Sequence, residues 1–261
     1  AVAAAACYFA YENGCQSALM APTEILATQH YETLNAFLSP LEINVSLLTG
    51  SMTAKQKKEV KEKLLSGECD VIVGTHALIA ATTEFKKLGL VITDEQHRFG
   101  VNQRATLAEK GENPHKLVMS ATPIPRTMGL VVYGDLDISI LNELPKGRIP
   151  IETYAIKGEG LRNRAFGFVK NQLDEGRQGY IVCPMIDETE DDSELKSVKE
   201  YHKKISEGFF KDYKTDILHG KMTSAEKDDV MTRFKSGEIQ LLVSTTVVEV
   251  GVDVPNATII L

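Results

Sequence analysis

Two adjacent carboxylates, Asp94 and Glu95, are the residues of this sequence best suited to chemistry. They follow the apolar run Leu90-Val91-Ile92, whose β-branched character predicts a buried parallel strand. Open α/β sheets present their ligands at the carboxyl ends of such strands. There Asp94 could hold Mg²⁺ through oxygen, and Glu95 could orient or deprotonate a water for attack on a γ-phosphate. The same pair is also compatible with a strand end followed by a polar loop.

Further polar residues follow neighbouring predicted strands. Gln96 and His97 extend the acidic pair, and we expect His97 to link it by hydrogen bonds to the turn Ser120-Ala121-Thr122. A metal-ligand role for His97 is disfavoured, because no second histidine lies four residues away on a helix. The N–H groups and the hydroxyl at Pro22-Thr23 could hold a phosphate, although Thr23 alone is typical of a helix N-cap. The remaining histidines that we considered follow no pattern and are interpreted as structural: His30, His115 and His202.

The composition is that of an ordinary globular protein. The chain has 261 residues, 43% hydrophobic and 25% charged, which suggests one large domain or two ordinary ones. The net charge of −7 gives no indication of a basic nucleic-acid-binding surface, and no apolar run reaches the length of a membrane span. The four cysteines lack C-x-x-C spacing and are interpreted as buried thiols in a reducing compartment. The Ala-rich start and the apolar end indicate a fragment of a longer protein.

Short apolar strands alternate with amphipathic helices, which predicts parallel α/β sheets. The proline-rich segment at 144–150 breaks this alternation and predicts a linker. Acidic residues crowd Asp187–Glu194, which we interpret as a solvated loop before a helix. The predicted strands are Ser17–Ala21, Val45–Thr49, Val71–Thr75, Leu88–Thr93, Lys116–Ser120, Ile151–Ile156, Tyr180–Met185 and Leu241–Thr245, and the predicted helices are Thr23–Leu38, Thr53–Gly67 and Leu161–Glu175.

An internal repeat supports two similar lobes. Leu48–Thr75 aligns without a gap against Leu218–Thr245, and 11 of 28 positions are identical. Both copies carry a capping-box pattern, with Thr and Gln or Glu three residues apart. Two such lobes predict a cleft between them and paired surfaces at equivalent strand ends. A nucleic-acid backbone could cross both surfaces in similar ways, through hydroxyl and N–H contacts to phosphates.

Taken together, the strings DEQH, SAT, APTE, GTHAL, LHGKM and STTVVEVGVDVPNAT resemble the superfamily 2 helicases. The longer strings DEQHRFGVNQR, MSATPIPRT, YGDLDISILNELPKGR and PIETY resemble the bacterial RecG family over essentially the whole chain. The transcription-repair coupling translocases share related strings, but the YGDLD…ELPKGR segment fits RecG better. The resemblance implies two RecA-like lobes, each a mainly parallel sheet flanked by helices and each incomplete at a chain end. The implied boundaries are an ATP-binding lobe at 1–144, a linker at 145–150 and a C-terminal lobe at 151–261.

The resemblance also implies a role for each matching residue. Asp94 and Glu95, with Gln96 and His97, are implied to hold Mg²⁺ through water and to hydrolyse ATP. Coupling between the nucleotide and the second lobe is implied for Ser120, Ala121, Thr122, Glu249, Gly251 and Asp253. Contacts to a DNA backbone are implied for Pro22, Thr23, Thr49, Gly50, Thr75, His76, His219, Gly220 and Thr245. The implied partner is branched or forked DNA, the implied motor is monomeric, and the implied location is the bacterial cytoplasm, associated with the nucleoid and not with a membrane.

Two departures from the family pattern limit what this chain is expected to do alone. The sequence contains neither the phosphate loop G-x-x-x-x-G-K-[ST] nor the Q-x-x-G-R-x-G-R segment. Without the phosphate cradle and the arginine, we expect the 261 residues alone to have negligible ATPase activity, while the parent is an active motor. The alternatives are a coupling-type translocase that moves along duplex DNA, and a non-catalytic two-lobe interaction module.

Overall fold

The first lobe of the protein is a five-stranded sheet covered by helices. The computed structural model describes residues 1–95, 99, 106–120, 137–143, 150–183, 191–245 and 254–261. The strands run in the order β2-β3-β1-β4-β5, and every adjacent pair is parallel. The elements of this lobe are α1 (Val2–Glu12), β1 (Gln16–Met20), α2 (Glu24–Leu38), β2 (Val45–Leu48), α3 (Ala54–Ser66), β3 (Val71–Gly74), β4 (Leu88–Asp94) and β5 (His115–Met119).

The second lobe repeats this arrangement with four strands in the order β7-β8-β6-β9, again all parallel. Its elements are α4 (Glu159–Asp174), β6 (Gln178–Val182), α5 (Asp191–Glu207), β7 (Thr215–Leu218), α6 (Ser224–Lys235), β8 (Leu241–Ser244) and β9 (Ala257–Ile260). The fold class expected from the sequence, two parallel α/β lobes flanked by helices, is confirmed. No helix in the described parts of the chain is long and apolar enough to cross a bilayer.

The central strands of each sheet are buried on both faces, because their alternate residues enter different clusters. In β1, Leu19 packs with α1 and α2, whereas Ala18 and Met20 pack with Leu64 of α3 on the opposite face. This alternation follows from the two-residue period of a strand. The second lobe has two further clusters, one centred on α4 and α5 and the other on α6. The central strands are therefore largely apolar along their length, as is typical of parallel sheets.

The internal repeat is a structural repeat. The Thr75 N–H donates to the Leu48 carbonyl at 3.3 Å, and the Thr245 N–H donates to the Leu218 carbonyl at 3.3 Å. Both capping boxes predicted from the sequence are formed, at the start of α3 and at the start of α6. The lobes differ where Gly74 corresponds to Ser244. A Cβ on Gly74 would lie 2.3 Å from the Leu48 carbonyl oxygen, whereas the Ser244 hydroxyl donates to the Leu218 carbonyl at 3.0 Å.

Two buried glutamines, at the first positions of β1 and β6, hydrogen-bond to backbone carbonyls of neighbouring segments. Gln16 donates through Nε2 to the carbonyls of Leu64 and Cys69, at 2.8 and 2.7 Å. Gln178 donates through Nε2 to the carbonyls of Phe234 and Ile239, both at 2.6 Å. In each case the glutamine satisfies one carbonyl in the last turn of a helix and one in the connection from that helix to the neighbouring strand. Leaving such buried groups unpaired costs about 1–3 kcal/mol each, so these bonds fix the helix–strand connections.

The capping boxes lead to a matched prediction. Replacing Thr53 or Thr223 with alanine is expected to destabilise its own lobe by about 1 kcal/mol, because the cap bond to the third helical N–H is lost. Hydrogen bonds from Thr223 lower the pKa of Glu226, so the second box contributes fully above the ordinary glutamate pKa and weakens as the pH falls through the lowered value. The first box uses Gln56 and has no such dependence. Amide exchange in the first turns of α3 and α6, at neutral and acidic pH, measures both effects; equal acid sensitivity would contradict the assignment.

Two segments differ from their predicted structure. The strand predicted at Ile151–Ile156 is absent; these residues are exposed and form no strand. A β-branched and aromatic pattern forms a strand only where its N–H and C=O groups find a ladder partner, and the described strands offer none here. The loop predicted at Asp187–Glu194 is partly helical, because α5 begins at Asp191. Acidic residues are favoured at a helix N-terminus, which explains the earlier start. The first part of that run, and residues 144–149 of the predicted linker, lie outside the described residues.

Candidate nucleotide and nucleic-acid site

The acidic pair lies where the sequence predicted, at the carboxyl end of β4. Asp94 is the last residue of the strand and pairs in register with Met119 of β5. Glu95 follows with a left-handed φ of 46° and is buried. Such a backbone is uncommon for a residue other than glycine and is found at functional sites. The Ser120 hydroxyl, directly after β5, lies 3.5 Å from Glu95 Oε2, at the outer limit of a hydrogen bond.

A histidine that we interpreted as structural from the sequence reaches this pair. His30 Nε2 lies 2.6 Å from Asp94 Oδ2. The two residues are 64 positions apart, and α2, which packs mainly on β2 and β3, brings His30 to the end of β4. The only sequence signal that could have found the contact is the helical spacing of His30 between Leu26 and Leu34, which places all three on one helix face.

The segment after β1 is joined to the segment after β2. Glu24 Oε1 accepts a hydrogen bond from the Ser51 N–H at 2.8 Å. A Cβ on Gly50 would lie 2.9 Å from the same oxygen, so the glycine permits this close approach. Lys57 of α3 donates to the Gly50 carbonyl at 2.5 Å. The predicted DNA contacts Thr23 and Gly50 are thus held in one bonded loop cluster, through a glutamate and a lysine that we had not assigned.

All the described residues predicted to contact DNA lie at the carboxyl edges of the two sheets, but their exposure differs. Thr49, Thr75 and Thr245 are buried, and Thr23 caps α2 by accepting a hydrogen bond from the Leu26 N–H. The remaining members reach solvent to a greater extent: Gly50, His76 and Gly220 are exposed, and Pro22 and His219 are half-buried. Among the side chains of this set, the His76 ring is exposed, and it lies 5.9 Å from the Phe99 ring.

Several predicted site residues lie outside the described residues. They are Gln96 and His97 of the acidic box, Ala121 and Thr122 of the coupling turn, and Glu249, Gly251 and Asp253 of the second lobe. Their assigned roles remain predictions.

The two lobes touch beside this edge. Ile25, in the first turn of α2, packs against the apolar cluster of the second lobe that contains Val230 and Phe234. Burial, and to a smaller extent the nearby Glu24, raise the pKa of Asp228 on α6. Asp228 corresponds in the repeat to Lys58 of α3, so the two lobes present opposite charges at equivalent positions.

The donor set fits a hard divalent cation. Asp94 and Glu95 supply carboxylate oxygens, which are the ligands that Mg²⁺ prefers, and Mg²⁺ commonly keeps several waters and uses only one or two protein carboxylates. Within the described ranges no group of three or more His, Cys, Asp or Glu side chains could enclose a metal ion. Asp94 and Glu95 could therefore hold a hydrated divalent cation.

Comparison with known families agrees with this division into lobes. Residues 1–130 match the DEAD/DEAH box helicase family, and residues 164–261 match the helicase conserved C-terminal domain family. The first match covers the first sheet and the acidic pair, and the second match covers the second sheet. The chain thus has the two-lobe core that defines the DEAD/DEAH helicase class.

Individual relatives identify the family within this class. The chain is 50% identical to the ATP-dependent DNA helicase RecG of Bacillus subtilis over 99% of its own length and 38% of the relative's. It is 47% identical to the RecG of Synechocystis over 96% of this chain and 30% of that one. A solved structure of RecG bound to a three-way DNA junction superposes with a TM-score of 0.78 and 43% identity, covering 99% of this chain and 33% of that one. The chain belongs to the RecG family and spans about a third of the length of these relatives.

Proposed function

We propose that this chain is the central part of the motor of an ATP-dependent DNA helicase that acts on branched DNA. The observation that supports it most is the family match across both lobes together with the buried acid pair at the carboxyl edge of β4. In this proposal ATP binds between the lobes and draws them together, and hydrolysis releases them. The resulting steps along duplex DNA would drive replication fork reversal or Holliday junction branch migration in recombination and repair.

The described residues have distinct tasks in this mechanism. Glu95 accepts a proton from the attacking water, whose oxygen bonds to the γ-phosphorus as the bond to the β–γ bridging oxygen breaks. Its burial excludes competing solvent, and the Ser120 hydroxyl helps to orient its carboxylate. Asp94 would hold Mg²⁺ through water, and the ion would supply charge neutralisation on the phosphates.

DNA binding is assigned to the carboxyl edges of both sheets. Backbone groups at Gly50 and Gly220 and the side chain of His76 would contact phosphates, while the buried threonines Thr49, Thr75 and Thr245 shape the loops that present them. Contacts of this kind position a strand without reading its sequence. They therefore suit a motor that recognises the shape of a junction, and we propose that it works as a monomer.

The test uses the complete protein that carries this chain. ATP turnover and strand rearrangement are measured with a forked duplex, with a linear duplex of the same base composition, and with a stalled transcription complex. We expect the fork to stimulate turnover more than the linear duplex does and to be converted to a new branch position. Displacement of the polymerase without rearrangement of the fork would favour the coupling-type translocase. Absence of turnover on all three would favour a non-catalytic interaction module.

A further inference from the structure

The contact between His30 and Asp94 joins α2 to the end of β4 at the acidic pair. The two side chains are 27% and 19% exposed, so the contact is largely shielded from solvent, and Nε2 lies 2.6 Å from Oδ2. Because a carboxylate oxygen accepts, the histidine nitrogen donates. Hydrogen bonds to ionised groups are shorter and about twice as strong as neutral ones. The bond therefore restricts the orientation of the Asp94 carboxylate.

Packing fixes the histidine from the helix side. Leu26 lies one turn before His30 and Leu34 lies one turn after it, and both are buried against the sheet. Residues four positions apart share a helix face, so His30 emerges from the buried face of α2 between two anchored leucines. The packing of these leucines therefore fixes the helix from which the His30 ring reaches Asp94.

A second histidine of similar surroundings offers a contrast. His202 of α5 contacts the Thr215 hydroxyl at 2.9 Å, and it too is a half-buried helical histidine that meets a strand. Thr215 begins β7, however, so this contact lies at the amino edge of its sheet, away from the loops of the site. His202 therefore joins a helix to a strand only, whereas His30 joins a helix to a carboxylate of the site.

We propose that His30 is a positioning residue for Asp94, holding its carboxylate in the orientation that receives a hydrated divalent cation. This inference rests on the proposed function. A carboxylate has about four lone-pair sites, so one bond to His30 leaves acceptor capacity for metal-bound water. Hydrogen-bonding groups outside the direct ligands of a metal typically change metal affinity by about 10–100-fold when they are removed.

The test measures metal binding directly in the complete protein. Mn²⁺ replaces Mg²⁺ as the probe, and its binding with the ATP analogue AMP-PNP is followed by electron paramagnetic resonance. His30→Ala is expected to raise the half-saturating Mn²⁺ concentration by about 10–100-fold. His30→Gln, which keeps an N–H donor, is expected to restore most of the affinity. His202→Gln is the matched control and is expected to leave Mn²⁺ binding unchanged.

The outcomes separate the inference from the proposed function. If the unaltered protein binds Mn²⁺ with AMP-PNP and His30→Ala and His30→Gln both bind it equally well, the positioning role is wrong and the proposed function stands. Tighter Mn²⁺ binding by His30→Ala would mean that the histidine competes with the cation, which also overturns the inference. If the unaltered protein binds no metal–nucleotide complex, both proposals fail. If His30→Ala does not fold, His30→Gln is compared with His30→Asn. Loss of Mn²⁺ affinity only in His30→Asn, which has the shorter donor side chain, supports the positioning role.

Discussion

Replacing Glu95 with glutamine is expected to lower the ATP turnover of the complete protein by about 10²–10⁴-fold, the usual contribution of a general base. Glutamine keeps the size of the side chain and cannot accept the proton of the attacking water. The left-handed backbone and the burial of this position stay the same. Binding of ATP and DNA is therefore expected to persist while hydrolysis and fork rearrangement are lost.

Glu42 provides a control for the left-handed backbone conformation of Glu95. Glu42 also has a left-handed φ, of 60°, but it is exposed and ends a short helical turn far along the chain from the acidic pair. Glu42→Gln should leave turnover unchanged. Single-turnover measurements with both variants separate chemistry from product release. Unchanged single-turnover hydrolysis by Glu95→Gln would refute the assignment of Glu95 as the base.

Phe234→Ala is expected to destabilise the second lobe by about 3–5 kcal/mol, the range for removing a buried phenylalanine. Phe234 is completely buried on α6, its ring lies 4.8 Å from the Tyr180 ring, and its carbonyl accepts the bond from Gln178. The truncation leaves a cavity between α6 and β6 that the rigid sheet cannot fill. Amide exchange of β6 and β8, read as a free energy of opening, measures the loss.

Phe168→Ala supplies the comparison within the same lobe. Phe168 lies on α4 and is 58% exposed, so its removal creates little cavity and is expected to change stability slightly. An equal effect of the two substitutions would show that the cluster around Phe234 is not the core of this lobe. Exchange in β1 and β3 should be almost unaffected by either variant, because those strands belong to the other sheet.

Local patterns were sufficient to predict most of the fold. The strand ends, the Thr23 cap and both capping boxes depend on neighbouring residues, so their physics is visible in short stretches of sequence. The segment at Ile151–Ile156 shows the limit of prediction from local patterns. Its pattern favours a strand, but strand pairing needs a partner that the pattern does not specify.

The site was predicted less completely than the fold, for a related reason. The position of Asp94 and Glu95 follows from one strand, whereas the bond from His30 joins α2 to the end of β4 across 64 residues of sequence. The bond from the Ser51 N–H to Glu24 similarly joins two loops after different strands. Such contacts arise from tertiary packing, and a single sequence has no periodic signal for them.

The separate cores of the two lobes bear on how cooperatively the chain unfolds. Each lobe has two apolar clusters of its own, and Ile25 is the residue of the first lobe that packs into a cluster of the second within the described part of the chain. Because these cores are separate, we expect the lobes to unfold as two thermodynamic units, for which a single melting temperature is not a defined quantity. A ligand that binds one lobe stabilises that unit alone, whereas a ligand that bridges both makes their unfolding equilibria interdependent. The degree to which the two transitions merge would then measure how strongly a bridging ligand joins the lobes.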